Sequence, residues 1–183
     1  RALARRPRVL LLDEPLAALD RKLREETQFE LMDIQRRLGM TFIIVTHDQD
    51  EAMTLADQIG VMQAGRLAQV GSPQDIYDHP ASRYVAGFVG DINLIKGRVG
   101  TVAGRIASFM PDELEAVWQV AAGDAQSGDE MVLAIRPERL DIAAPGRQGP
   151  GNTIAGTILD AGYLGESTLY RIGLPGGGVV RVF

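Results

Sequence analysis

Two carboxylates, Asp13 and Glu14, stand side by side after the apolar run Val9, Leu10, Leu11, Leu12 and before Pro15. A third, Asp20, closes the stretch Leu16, Ala17, Ala18, Leu19, Asp20. His47 follows a second apolar run, Thr41, Phe42, Ile43, Ile44, Val45, within Thr46, His47, Asp48. Four apolar residues in a row predict a strand buried on both faces, as in a parallel sheet. Pro15 stops the ladder, having no N–H to donate. Carboxylates are costly to bury unpaired, so a pair at the end of a buried strand lies where α/β folds place their ligands. The chemistry that suits this pair is that of a nucleotide phosphate and its metal. Asp13 would hold Mg²⁺, directly or through water, and Glu14 would orient or deprotonate the attacking water. An acidic surface turn after a core strand is the alternative, and so short a motif leaves it open.

The elements that must position these groups follow from periodicity. Two parallel strands, each ending in polar residues and joined by a helix, make one βαβ unit with its functional edge on one side. Leu16, Leu19, Leu23, Leu31, Ile34 and Leu38 fall on one helical stripe, predicting a core-facing helix that Gly39 ends as a C′ glycine. Residues 1–6 are basic and predict helix up to Pro7. Residues 48–56 open a short helix whose acidic first turn suits the helix dipole. Residues 59–62 and 66–70 predict a hairpin turning at Ala64 and Gly65. Ser72, Pro73 and Asp75 form a helix start, with Ser72 as N-cap. Helical pieces over 73–77 and 81–89 follow, and His79 before Pro80 reads as a turn residue.

Near residues 90–93 helical periodicity gives way to short β-type runs at 94–102, 105–109, 131–136, 153–159, 168–172 and 179–182. Several short strands at close spacing predict a small barrel or sandwich. Residues 121–128 and 143–151 read as exposed loops, and Trp118, the single Trp, as a core or half-buried residue.

The segment Leu10 to Asp20 with its continuation at Val45 to Asp48 resembles the ATPase subunits of ABC transporters. Leu10 through Pro15 is similar to that family's Walker B strand, Leu16 through Asp20 to its D-loop, and Val45 through Asp48 to its switch strand with a phosphate-sensing histidine. Residues 1–7 are similar to the tail of the helix that begins at the LSGGQ signature. Arg136, Pro137 and Glu138, with Tyr163, Leu164 and Gly165, resemble the OB-type (TOBE) accessory domain of sugar, polyamine and iron importers. The fold this implies is α/β: the C-terminal part of a P-loop NTPase domain over residues 1–92, then an all-β OB-like domain over 93–183, incomplete at both ends. Residues 87–93 and 163–170 are most similar to spermidine/putrescine importers, with sugar and ferric-ion importers second.

The resemblance also implies roles. Two copies sandwich two ATP molecules. Asp13 holds the Mg²⁺ shell, Glu14 polarises the water in line with the γ-phosphate, and His47 contacts that phosphate. Asp20 reaches across the dimer to the partner's site. The implied partners are a second ATPase subunit, transmembrane permease subunits and, indirectly, a periplasmic or extracellular solute-binding protein, at the cytoplasmic face of the cell (inner) membrane. The family's Gly-rich phosphate loop, glutamine loop and LSGGQ motif do not occur in these residues, so the chain by itself is expected to bind ATP poorly and not to hydrolyse it. Taken on its own, His47 reads as a polar strand-end residue bonded to a nearby backbone group, and the combined motif gives it the functional reading.

Composition narrows the classes. The chain has 183 residues, no Cys, 45% hydrophobic residues and a formal net charge of −5. Disulfides and thiolate metal sites are excluded. No run approaches the ~18 to 20 apolar residues of a membrane span. The acidic balance argues against a basic nucleic-acid-binding surface. Two other readings remain. One is a non-transport ABC ATPase acting on nucleic acid, since OB-type barrels can bind oligonucleotides. The other is a regulatory role for the β-rich half.

Overall fold

Val9–Asp13 (β1) and Thr41–Val45 (β2) pair in parallel, with Val9 opposite Thr41 and Asp13 opposite Val45. They are joined by one long helix, Arg21–Leu38 (α1). These are coordinates of a computed structural model that describes residues 7–146 and 151–183. The helix expected over residues 1–6 lies outside the described residues. The chain divides into two compact units, Arg1–Gly90 and Asp91–Phe183.

In the first unit the expected double burial of β1 and β2 does not hold. Leu10 is buried, but its neighbours Val9 and Leu11 are 49% and 71% exposed, and Ile43 and Val45 are exposed on the second strand. A strand's side chains alternate between faces, and this two-stranded sheet is covered on one face only. The helix also starts later than expected. Leu16 and Leu19 lie in the turns that precede it, and α1 begins at Arg21, capped by Asp20. Asp20 stands at extended φ and ψ and accepts from the Leu23 amide at 3.0 Å, which makes it a strong N-cap where Leu19 offers no acceptor. The stripe on α1 is only partly covered: Gln28 is buried, Leu31 and Ile34 are half-buried, and Leu23 and Leu38 are exposed. Gly39 ends the helix with φ 60°, the left-handed C′ position, donating its amide to the Gln35 carbonyl.

Gln49–Leu55 (α2) follows β2. Ile59–Gln63 (β3) and Arg66–Gly71 (β4) form the expected hairpin. Pro73–Asp78 (α3) opens on a capping box in which Ser72 and Asp75 satisfy each other's amides, and Arg83–Phe88 (α4) is capped by Ser82. The Ser72 hydroxyl and amide, donating to Asp75, hold its carboxyl below the usual range, so this cap is intact above that range and weakens as pH falls through it. Ile59, Val61, Ile76, Val85 and Val89 form the core of these elements. His79 ends α3, and Gln69 accepts from the Ala81 amide and donates to the His79 carbonyl, so the segment is a bonded turn.

Among its described residues the second unit is all β apart from one 3₁₀ turn, Pro137–Arg139. Asn93–Ala103 (β5), Ile106–Pro111 (β6), Trp118–Ala121 (β7) and Glu130–Ile135 (β8) form an antiparallel sheet in the order β7-β6-β5-β8. Thr157–Tyr163 (β9), Thr168–Gly173 (β10) and Val179–Val182 (β11) form a second sheet in the order β11-β10-β9. The strand expected at 153–159 thus begins four residues later, and β7 was not expected at all. Trp118 is buried and stacks on Phe109, with ring centroids 6.5 Å apart. Gly97 is required by close approach, because a Cβ there would lie 2.3 Å from the Met110 carbonyl oxygen. Residues 147–150 of the expected loop lie outside the described residues. Among the described residues, no helix is long and apolar enough to cross a membrane.

Asn93 joins the two sheets. Its buried side-chain amide donates to the Arg181 carbonyl and accepts from the Arg181 amide, both at 2.8 Å, as a backbone rung would. Arg181 also pairs with Asp91. Asn93→Ala would leave both Arg181 peptide groups unpaired and is expected to lower unfolding free energy by about 2 kcal/mol. Urea unfolding followed by the fluorescence of Trp118 would measure it, and an unchanged midpoint would rule out this role.

Candidate functional site

The chemistry-bearing residues gather where β1 and β2 end. The Glu14 amide donates to the Val45 carbonyl at 2.8 Å, which extends the parallel ladder one step past Asp13. Glu14 then takes φ 45°, in the left-handed region, just before Pro15. That conformation costs a non-glycine residue about 1 to 2 kcal/mol. Backbone strain at a strand end is a frequent companion of functional groups. Its effect here is to turn the Glu14 side chain toward the end of β2.

There Glu14 Oε1 lies 3.0 Å from His47 Nδ1. A carboxylate can only accept, so the imidazole donates through Nδ1–H. The tautomer follows from that partner, and Nε2 is directed away from the bond. Both side chains are exposed, at 51% for Glu14 and 75% for His47. The pair is therefore oriented but open to solvent. Among the described residues the Asp13 side chain makes no hydrogen bond or ion pair, which leaves its carboxylate available to a ligand. Asp20, seven residues after Asp13, is engaged as the cap of α1 through Oδ1.

The structure brings together Glu14 and His47, both singled out by the sequence, and shows what the sequence reading lacks, the contacts that hold His47 in place. Thr46 donates its hydroxyl to Glu51 Oε2 at 2.7 Å and accepts from the Asp48 amide at 3.0 Å. Asp48 caps α2 by accepting from the Glu51 amide at 3.0 Å. Its other oxygen receives Arg24 Nη1 at 2.6 Å. Glu51 is buried, and its Oε1 has no partner among the described residues. The residues on either side of His47 are thus both tied to the first turn of α2. The spacing Asp48-x-x-Glu51 was a visible signal, since it is the N-cap to N3 interval of a capping box. In place of the usual reciprocal bond, Glu51 reaches Thr46.

The four candidate residues do not by themselves form a metal cage. Among the described residues, no group of three or more His, Cys, Asp or Glu is arranged to hold an ion. One free carboxylate at Asp13 still fits Mg²⁺, which binds through one or two carboxylates together with substrate phosphates and water.

Comparison with known proteins places this geometry in context. Residues 133–183 match the TOBE domain family. The chain is similar over 100% of its length to "Spermidine/putrescine import ATP-binding protein PotA" of Frankia alni, at 42% identity. The same protein of Nitrosomonas europaea is 43% identical over 95% of this chain. PotA 1 of Pseudomonas aeruginosa is 43% identical over 100% of it. These matches cover 41%, 48% and 48% of the relatives, so the chain spans about half the length of the curated relatives it matches. Among solved structures, cbiO1 of Clostridium perfringens, part of the ABC transporter complex cbiONQ, matches at 39% identity with a TM-score of 0.40, covering 42% of this chain and 31% of its own.

The strain at Glu14 is testable apart from any activity. Glu14→Gly and Glu14→Ala both remove the carboxylate, but only Gly adopts φ 45° freely. The Gly variant is expected to be the more stable by about 1 kcal/mol, read from urea unfolding by far-UV circular dichroism. Equal stabilities would show that the left-handed turn carries no strain.

Proposed function

We propose that this chain, a relative of ABC import ATP-binding proteins along its whole length, supplies the metal and water side of an ATP-hydrolysing site. The observation that carries the reading is the Glu14–His47 contact at the ends of two parallel strands. Glu14 is the carboxylate that orients and polarises the attacking water. His47 holds the γ-phosphate and helps fix that water. Asp13 supplies one ligand to Mg²⁺, which neutralises charge developing on the phosphate oxygens. Asp20, held at the surface by its cap, extends toward the nucleotide bound by a second copy. Positioning and charge stabilisation supply most of the catalysis in such phosphoryl transfer.

In this reading residues 1–92 belong to the ATPase domain and 93–183 form the OB-like accessory domain, of which the TOBE match covers the last part. The transported solute is a polyamine, putrescine or spermidine, supported by the names of the similar proteins. The partners are a second ATPase subunit, the permease subunits and, through them, a solute-binding protein. The protein then works as a peripheral subunit at the cytoplasmic face of the membrane. Sugar or ferric-ion import is the nearest alternative.

Action on nucleic acid is the weaker reading. In the second unit Arg98 pairs with Glu130, Arg171 with Asp160 and Arg181 with Asp91. Paired arginines offer little to a phosphate backbone, which is held by unneutralised cations.

The test joins this chain to an ATPase half that carries a Gly-rich phosphate loop and measures hydrolysis. Glu14→Gln is expected to retain ATP binding and lose turnover by about 10² or more, and His47→Ala to lose turnover on a similar scale. The 183-residue chain alone is expected to show no turnover. Wild-type activity in Glu14→Gln would remove Glu14 from the chemistry and overturn the reading.

A further inference from the structure

Arg24 stands on the first turn of α1 and reaches off its own helix in two directions. Its Nη1 donates to Asp48 Oδ2 at 2.6 Å, and its Nη2 donates to the Leu19 carbonyl at 3.1 Å. Leu19 immediately precedes Asp20, and Asp48 immediately follows His47. One guanidinium therefore ties the turn that carries Asp20 to the turn that carries His47. The ion pair is sheltered, with its two side chains 31% and 24% exposed, so it is screened less than a surface pair.

The chemistry of the fork matters. A guanidinium is planar and presents several donors in fixed directions, so it can hold a carboxylate and a carbonyl at once. A lysine is a point charge on a flexible stem and can replace one contact but not the pair of directions. Asp48 is equally committed. Its Oδ1 caps α2 and its Oδ2 holds Arg24, so the residue after His47 cannot shift without breaking one bond or the other. Thr46, on the other side of His47, is tied to Glu51. A displacement of the Leu19–Asp20 backbone is thus passed through Arg24 to Asp48 and on to the His47 ring, which sits 3.0 Å from Glu14.

We propose that Arg24 is a positioning residue that couples the Asp20 turn to the His47 turn. It touches neither nucleotide nor water. This rests on the hydrolysis reading above, in which Asp20 faces the partner's nucleotide and His47 the chain's own γ-phosphate.

The experiment is steady-state ATP hydrolysis by the complete ATPase, with Arg24→Lys, Asp48→Asn and the double variant, alongside Glu14→Gln. Asp48→Asn keeps the N-cap through its one oxygen and removes the bond to Arg24, since its NH2 group then faces the Arg24 donor. Each single variant is expected to lower kcat about tenfold while KM for ATP stays within about twofold, with unfolding midpoints unchanged. The double variant is expected to be no slower than the slower single within about twofold, the mark of two groups acting as one device. Losses that multiply in the double variant would mean independent effects and overturn the coupling. So would wild-type kcat in Arg24→Lys, or a change confined to KM or to stability. If the wild type itself does not turn over, or Glu14→Gln matches it, the hydrolysis reading falls and the coupling falls with it.

Discussion

One rung past the last paired residues of β1 and β2, the Glu14 amide meets the Val45 carbonyl at 2.8 Å. That hydrogen bond carries the register of the sheet into the turn, and the site depends on it. A strand's side chains alternate, so a slip of one residue would exchange the inward and outward sets of β1. Leu10 and Leu12 would face out, and the Glu14 side chain would leave the end of β2. The inward residues resist the slip: Leu10 is buried, and Leu12, Phe42 and Ile44 are half-buried. Hydrophobic burial on one face thus fixes where a carboxylate and an imidazole meet at the edge. The positive φ of Glu14 is the local cost of ending a parallel strand with one more bond and then leaving it at Pro15.

Beyond that rung, both loops are held by helix starts. Asp20 caps α1 and Asp48 caps α2, each accepting from an amide three residues on, and an N-cap of this kind contributes about 1 kcal/mol. The acidic residues in this region therefore divide by partner. Asp20 and Asp48 satisfy helix amides, Glu14 holds His47, and the Asp13 carboxylate has no partner among the described residues. Charges next to one another in sequence end up with different chemistry because backbone donors claim some of them first. Arg24 gains its importance from the same economy of donors, since it neutralises a capping carboxylate that would otherwise repel its neighbours.

Much of this was legible in the sequence. Apolar runs ending in Asp13–Glu14 and Thr46–His47 gave both strands and their meeting point, because period and punctuation are local signals. Gly39, Ser72 and the Ala64–Gly65 turn ended or began elements where expected, for the same reason. Burial was less legible. A run of four apolar residues does not say how many layers cover it, and here Val9, Leu11, Ile43 and Val45 are exposed. The start of α1 was misjudged because leucine spacing extends the helical pattern through Leu16 and Leu19, while the cap at Asp20 decides the boundary. In the second unit, the four residues Trp118–Ala121 are too short a run to announce β7 by themselves, and their antiparallel pairing with β6 across residues 112–117 defines it. The Arg24–Asp48 bond joins residues far apart in sequence, and no local pattern announces it.

The exposure of the Glu14–His47 pair bears on what the site needs from elsewhere. An exposed hydrogen-bonded pair contributes at most about 1 kcal/mol after the entropy of holding it. The geometry at the strand ends is thus prepared while the medium is not. Electrostatic catalysis draws its strength from excluding water around fixed dipoles. With side-chain exposures of 51% and 75%, neither residue has that shelter from this chain. For the proposed phosphoryl transfer, a surface closing over them would have to bring phosphate-binding amides and apolar cover together, because either alone would leave the pair hydrated or the phosphate unbound. Orientation belongs to β1, β2 and the two capped helices, and insulation to whatever docks against their ends. In the proposed hydrolysis, a site divided in this way would be active only while closed, which would bind turnover to a conformational step.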